Sequence, residues 1–326
     1  MAANTMTDAP LHTDGRSGPS TKPVLGAVLA GLGALLIVVG LLVHFYVVPQ
    51  LAVVPIDQNS ITTLEAKDAI LFDTATLAPI TTDLTVKART VGDVEGSEDA
   101  PGDAYVWIST TTITSSDGVV RSQSAKRAAF DKVTAEAVNC CDNFMETEQG
   151  VRKKVTRSGL MFKFPFYTEK QSYQVWDDTL GKPVKTSYKG TADVDGHSTY
   201  VFENEVPATA VGTQDLPGSL FGQEGTANVT ADKYYQNHNT YNVEPVTGAI
   251  VNQVTETKSW FSYAGNDLVT TDATIAYTKD EIKETYDVLG SRPQLLGLAH
   301  GMVPWLVSIL GLGLMAAGAY FGRRRA

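Results

Sequence analysis

Apolar residues form two long uncharged stretches, one near each end of the chain. The first runs from Val24 to Val48, and the second has its most hydrophobic part between Val303 and Phe321. A hydrocarbon core of about 30 Å is crossed by about 20 residues of helix. The pattern therefore predicts transmembrane helices over residues 24–48 and 296–321.

The first stretch is interpreted as an anchor rather than a cleaved signal peptide. Its apolar run exceeds the roughly 7–15 residues of a signal-peptide core, and Val47–Gln50 offers no small-residue cleavage motif. Residues 1–23 are rich in Ala, Thr, Gly, Ser and Pro, a composition that predicts a disordered tail. Residues 322–326 form a short basic tail.

Basic residues flank the two stretches on their terminal sides. Arg16 and Lys22 precede the first, and Arg323, Arg324 and Arg325 follow the second. Lys and Arg near spans are retained in the cytoplasm. Both termini are therefore predicted to be cytoplasmic, with residues 49–295 as one domain outside the plasma membrane.

Between the spans, apolar and polar residues alternate with a period of two. Tyr105–Ile113 and Val119–Phe130 flank a turn at Ser115–Gly118, which predicts a β-hairpin. Further strands are predicted over Leu160–Thr168, Thr199–Glu205, Asn228–Tyr235, Thr240–Val243, Ile250–Trp260 and Leu268–Thr278. We expect a mainly β exported domain of antiparallel sheets with few helices, in which a barrel or a tunnel-like β domain is an open alternative.

Two further local patterns are informative. Thr278 and Glu281 stand at capping-box spacing before a helical stripe that ends at Gly290, which predicts a helix leading towards the second span. Residues 132–139 and 245–252 share Val-Thr followed by Val-Asn at the same spacing. This echo predicts a turn that occurs twice.

The exported part is strongly acidic. Of the 36 acidic and 26 basic residues of the chain, 34 and 21 lie between the two spans, a net charge of −13. Such a domain is repelled by nucleic acid and by anionic headgroups, so nucleic-acid binding is excluded as a function class.

Motifs for known chemistry are absent from the sequence. There is no Gly-x-Ser-x-Gly elbow, His-Glu-x-x-His pair, phosphate-binding loop or dinucleotide fingerprint. Only His197 and His238 lie well inside the exported part, so a histidine-based metal site is not expected. We therefore expect no enzyme, no metal and no cofactor.

The two cysteines are adjacent, at Cys140 and Cys141. Export to an oxidising compartment favours a vicinal disulfide, which would close a small ring and fix a local turn. Two free thiols or an intermolecular bridge are the alternatives.

Three aromatic residues alternate at Phe162, Phe164 and Phe166, a spacing that predicts one shared face of an edge or bulged strand around Pro165. The face is interpreted either as part of the core or as the wall of an apolar ligand channel. In the channel hypothesis, Tyr167 and Trp176 are further candidates for ligand contact.

Three blocks carry a resemblance to a known family. They are residues 127–141, with Asn139-Cys140-Cys141 at their end, residues 159–170, and Val243-Glu244-Pro245-Val246-Thr247-Gly248. Over nearly the whole chain the sequence resembles an actinobacterial family of two-span envelope proteins that carries the porin-A name and includes the mycobacterial polar growth factor A.

This resemblance implies an envelope protein that contacts trehalose monomycolate and assists the transporter that exports this lipid. Two classes of function remain open at this point. In one, the exported domain binds or passes an envelope lipid. In the other, it is a structural or assembly scaffold without a lipid ligand. An apolar cavity beside the Phe162 segment favours the first class, and a solid core favours the second.

Overall fold

The computed structural model describes residues 22–323, so the predicted disordered tail and the end of the basic tail lie outside the described residues. The chain divides into two compact units. One contains the terminal segments up to Pro49 and from Leu298, and the other runs from Gln50 to Gly297.

The secondary structure consists of terminal helices and a long series of strands. The helices are α1 (Lys22–Leu42), α2 (Val48–Leu51), α3 (Val94–Glu98), α4 (Lys279–Leu289), α5 (Arg292–His300) and α6 (Met302–Arg323), with a π-helical turn at Val43–Val47 and a 3-10 turn at Gly218–Phe221. The strands are β1 (Asn59–Asp73), β2 (Ala78–Gly92), β3 (Ala104–Ser115), β4 (Val120–Asp131), β5 (Ala137–Val138), β6 (Phe144–Glu148), β7 (Val151–Lys154), β8 (Tyr173–Asp177), β9 (Lys182–Val194), β10 (His197–Pro217), β11 (Asn228–Val243), β12 (Ile250–Tyr263) and β13 (Asn266–Tyr277).

The first unit is built from two helical segments that are long and apolar enough to cross a membrane, Val24–Leu51 and Arg292–Arg323. The longer part of each segment, α1 and α6, packs against the other through glycines. A Cβ atom on Gly33 would collide with the carbonyl of Gly311, and one on Gly26 would lie 2.9 Å from the carbonyl of Gly318. Small residues at these positions let the two helix backbones approach closely.

The second unit is a large antiparallel sheet. Its strands follow the order β7-β6-β4-β3-β2-β1-β13-β12-β11-β10-β9-β8, with β5 paired to β4. The barrel alternative is wrong, because the edge strands β7 and β8 do not pair and the sheet is not closed. Leu160, in the irregular segment between β7 and β8, forms isolated bridges to Glu136 and to Val175.

Six strands, β3, β4 and β10 to β13, coincide with predicted strands, whereas the sequence analysis does not predict β1, β2 and β5 to β9. The hairpin of β3 and β4 is confirmed, with Tyr105 paired to Phe130. Two predicted strands merge into the single strand β11. The strand predicted over Leu160–Thr168 is wrong, because this segment is irregular and Phe162 has a φ of 61°. Left-handed backbone of this kind cannot continue a β ladder.

Thr278 caps α4, but the predicted capping box is only half formed, because the Thr278 amide donates to the Thr63 carbonyl and not to Glu281. The Thr278 hydroxyl accepts a hydrogen bond from the Glu281 amide at 3.1 Å. The Glu281 carboxylate in turn accepts one from the Thr63 amide at 2.7 Å, which ties the helix to β1. The helix ends at Gly290, as its sequence predicts.

Candidate ligand pocket

A cavity of about 290 Å³ lies in the β domain beside the irregular segment Phe162–Thr168. This volume is at the lower end of the range for small-molecule sites, which is about 300–1,000 Å³. Ten of its 17 lining residues are aromatic or aliphatic, and they include Val54, Trp107, Phe162, Phe166, Ile250, Val288 and Leu289. Two are basic, Lys163 and Arg292, and five are uncharged polar residues, Gln58, Ser60, Thr62, Thr90 and Thr247.

Two turns hold the irregular segment in place through backbone hydrogen bonds. One turn follows β4 and the other follows β11, and these are the two places where the sequence repeats Val-Thr. The bonds run from Met161 N to Ala135 O, from Phe166 N to Val133 O, from Phe164 N to Gly248 O and from Tyr167 N to Val246 O. The segment is thereby fixed from both sides without being a strand.

The repeated turns share one local mechanism. In the first, the Asp131 carboxylate accepts hydrogen bonds from the amides of Val133 and Thr134 at 2.9 and 2.7 Å. In the second, the Glu244 carboxylate accepts from the amides of Val246 and Thr247 at 3.0 and 2.7 Å. A carboxylate two and three residues before these amides makes a turn of the same type at both sites. The echo in the sequence thus has a structural basis.

The three phenylalanines do not share a face. Phe164 is 1% exposed and points into the core, where its ring stacks on that of Phe202. Phe162 is partly exposed and lies against Trp107 with ring centroids 5.4 Å apart. Phe162 and Phe166 line the cavity, whereas Phe164 does not.

Lys163 lies between the two phenylalanines of the wall. Its Nζ is 3.4 Å from the centroid of the Phe166 ring, a cation–π contact. This nitrogen is buried and has no hydrogen-bond acceptor among the described residues. Burial, together with the positive charge of Arg292, lowers the pKa of Lys163 well below its usual value, and the Glu244 carboxylate acts in the opposite direction.

Trp107 supplies a second buried donor in the wall. Its ring makes an edge contact with Phe130, with centroids 4.8 Å apart, which fixes the indole in the core. The indole Nε1 is buried and finds no acceptor among the residues that the structure describes. Buried Trp N–H groups are normally paired, so this donor is exceptional.

Arg292 closes the cavity at the start of α5. Its guanidinium donates to the carbonyls of Leu51 and Val53, and its Cζ is 5.9 Å from the centroid of the Phe166 ring. Leu51 ends the first apolar segment and Arg292 begins the second. The cavity therefore lies where the β domain connects to both segments along the chain.

The other residues singled out in the sequence lie elsewhere. Tyr167 packs against the core, and Trp176 lies in β8 with its indole Nε1 donating to Asp178 at 2.8 Å. Neither lines the cavity. Cys140 and Cys141 are joined as a vicinal disulfide in a turn before β6, and the Cys141 carbonyl accepts a hydrogen bond from Arg127.

A larger cavity of about 790 Å³ lies beside β3, β4, β6 and β7. Its charged groups are largely paired with one another. Arg127 and Asp93 form an ion pair at 2.6 Å, and Arg152 and Glu146 form one at 3.1 Å. Asp142 and Lys154 also line it and form no ion pair with a described residue, so its charge is only partly neutralised.

No group of three or more His, Cys, Asp or Glu side chains within residues 22–323 could hold a metal ion. The site features that the sequence did not indicate are Trp107 and Arg292, which are distant from the Phe162 segment along the chain. Lys163 did carry a signal, because a charged residue inside an aromatic run is unusual for a core strand.

Comparison with known proteins gives two findings. Residues 25–320 match the family model described as Porin PorA. A protein named Porin PorA from Corynebacterium amycolatum is 24% identical to this chain, and the match covers 89% of this chain and 96% of that protein.

Proposed function

Since this chain belongs to the porin PorA family, we propose that it is a non-enzymatic cell-envelope protein that binds an envelope lipid outside the plasma membrane. In this proposal the helical segments Val24–Leu51 and Arg292–Arg323 both span the plasma membrane, both termini are cytoplasmic, and the β domain is exported. The lipid is of the mycolate-glycolipid class, of which trehalose monomycolate is the candidate. The protein passes it to or from a lipid-exporting transporter.

The observation that carries this proposal is the cavity beside the Phe162 segment of the β domain. Trp107, Phe162 and Phe166 give it an apolar wall, and Arg292 begins the second apolar segment. Ligand sites of this kind combine apolar walls with a few polar groups that fix orientation.

A channel is the second candidate, because the C. amycolatum relative is named a porin. The open sheet argues against a pore through a single copy of this β domain, since a transmembrane barrel needs every strand edge paired. A channel would therefore have to be formed by several copies. Single-channel conductance of the purified protein in planar bilayers distinguishes this candidate, because stepwise currents would contradict the lipid-binding proposal.

The direct test is extraction of lipid from the full chain, purified from its host envelope, followed by mass spectrometry. We expect a stoichiometric envelope lipid on the wild type and less lipid per folded protein on Phe162→Asn. Asn is suitable because it tolerates the left-handed backbone at this position.

Tyr167→Asn is the matched control. Tyr167 is an aromatic residue of the same segment with a φ of 55°, and it does not line the cavity. This variant should retain its lipid. A wild type that carries no lipid, or equal loss in both variants, would contradict the proposal and favour the scaffold.

A further inference from the structure

The pocket that contains Phe162 and Phe166 has two buried donors for which residues 22–323 supply no acceptor. They are the Lys163 ammonium nitrogen and the Trp107 indole nitrogen, and both residues line the cavity. A buried donor without an acceptor costs about 1–3 kcal/mol, and a charged one costs more. Both unsatisfied groups are donors, so the complementary ligand group is an acceptor.

Positive charge is concentrated at the same place. Lys163 Nζ and the Arg292 guanidinium both lie against the Phe166 ring, at 3.4 and 5.9 Å from its centroid. Neither side chain forms an ion pair with a described residue. In a domain with a large excess of acidic residues, two unpaired cations at one aromatic ring are unexpected.

Glu244 is the acidic residue that acts on the charge of Lys163, but it forms no ion pair with Lys163 or Arg292. The Glu244 carboxylate is buried and accepts hydrogen bonds from the Val246 and Thr247 amides of its own turn, and also from the Thr247 hydroxyl. The Glu244 oxygens are therefore occupied by hydrogen bonds within their own turn. Glu244 contributes favourable charge to Lys163 at a distance and no hydrogen bond.

We propose, on the basis of the proposed lipid-binding function, that this pocket also recognises a second class of ligand besides the uncharged trehalose monomycolate: an amphiphile with an anionic headgroup, a phosphate or carboxylate that accepts from Lys163 and Trp107 and is paired with Arg292. The neighbouring apolar side chains Ile250, Val288 and Leu289 contact the first carbons of its alkyl chain. These apolar walls are the reason for an amphiphile rather than a free anion. A bound anion would also relieve the unfavourable burial of the Lys163 charge.

The test uses the full chain in nanodiscs of a neutral galactolipid and isothermal titration calorimetry. Three soluble probes separate head from tail: octyl phosphate, octyl glucoside and inorganic phosphate. We expect octyl phosphate to bind most tightly. Lys163→Met should weaken octyl phosphate roughly ten-fold or more, as expected for loss of a charged hydrogen bond, and should leave octyl glucoside unchanged.

The matched control is Lys170→Met. Lys170 Nζ also lies over an aromatic ring, 5.3 Å from the centroid of Tyr200, but Lys170 is exposed and does not line the pocket. This variant should bind all three probes like the wild type. Trp107→Phe is a second variant, because it removes the indole donor and keeps an aromatic ring, and it should weaken octyl phosphate several-fold.

Each contrary result has a distinct meaning. Equal binding of octyl glucoside and octyl phosphate, unaffected by Lys163→Met, overturns the anionic headgroup and leaves lipid binding standing. Inorganic phosphate as tight as octyl phosphate overturns the amphiphile. Failure of both octyl probes to bind overturns this inference, while the lipid-extraction experiment independently decides the proposed function. If Lys163→Met fails to fold, Trp107→Phe decides between the same outcomes.

Discussion

Phe164 stacks on Phe202, with ring centroids 4.6 Å apart and an interplanar angle of 28°. Both side chains are almost fully buried in the core between the turns and the sheet. Phe162, two residues earlier, turns away to the pocket because its φ is positive. The aromatic segment is thereby divided between a packing residue and pocket-lining residues, and the two kinds should respond differently to substitution.

The first prediction concerns this division. Phe164→Ala should lower the free energy of unfolding by about 3–5 kcal/mol, because it leaves a cavity in a close-packed region. Phe162→Ala should cost less, since one side of its ring already faces the pocket. Chemical denaturation of the full chain in nanodiscs, followed by near-ultraviolet circular dichroism, measures both. Equal losses of unfolding free energy in the two variants would show that Phe162 and Phe164 do not differ in their contribution to packing.

The second prediction concerns the close approach of Gly248 to the aromatic segment. Gly248 has a φ of 71°, and a Cβ atom there would collide with the carbonyl oxygens of Phe164 and Pro165. Gly248→Ala should therefore destabilise the protein by at least about 2 kcal/mol, from backbone strain plus displacement of the segment. Gly248→Ala should also bind its lipid ligand more weakly, because the displaced segment forms part of the pocket wall.

Gly181→Ala is its control. Gly181 also has a positive φ, of 64°, but nothing lies within 4 Å of the position of its Cβ. Gly181→Ala should therefore lower the free energy of unfolding by only roughly 1–2 kcal/mol, the cost of the backbone strain. Thermal unfolding of the two variants side by side would reveal whether the contact with the segment matters, and identical shifts would show that it does not.

Local patterns predicted much of the sheet, because a period of two is visible wherever one face is buried. The hairpin of β3 and β4 is the clearest example. β1 was missed because its alternation is broken by a bulge, where the register shifts between Ala66 and Ala69 and Asp68 has a φ of 50°. An irregularity of this kind changes which face each following residue occupies.

The pocket could be predicted only in part. Phe162, Phe164 and Phe166 imitate the alternation of a strand, but their backbone amides and carbonyls bond to turns and not to a ladder. Pro165 indicates against a regular strand here, because proline has no amide hydrogen to donate to a ladder. Trp107 and Arg292 come from distant parts of the chain, and their meeting depends on the order of the strands, which local patterns do not determine.

The third prediction tests the two-span topology. A cysteine at exposed Ser116 should react with a membrane-impermeant maleimide on intact cells, whereas a cysteine added after Ala326 should react only after lysis. The basic residues beside both apolar segments are the reason, because Lys and Arg that flank a span are retained in the cytoplasm. Cys140→Ser/Cys141→Ser is the background for both cysteine variants, so that only the new thiol reacts. Reaction of the C-terminal cysteine on intact cells would contradict this orientation.

The last prediction follows from the buried charge of Lys163. Its pKa in the folded protein lies well below the usual 10.5, because of burial and Arg292, with Glu244 opposing. Below the folded pKa, both the folded and the unfolded states carry the proton, and the folded state bears the full cost of the buried charge. Between the folded pKa and 10.5, the unfolded state binds more protons, so stability rises with pH, by at most about 1.4 kcal/mol per pH unit.

Lys163→Met should therefore be more stable than the wild type at low pH, and its advantage should shrink as the pH rises towards 10.5. Lys163→Arg is the contrast. Its guanidinium stays charged throughout this pH range, so the difference in free energy of unfolding between Lys163→Met and Lys163→Arg should not shrink as the pH rises. The free energy of unfolding of the three proteins, measured from pH 6 to 10 without added amphiphile, gives the comparison; parallel curves for wild type and Lys163→Met would show that the Lys163 pKa is not lowered by folding.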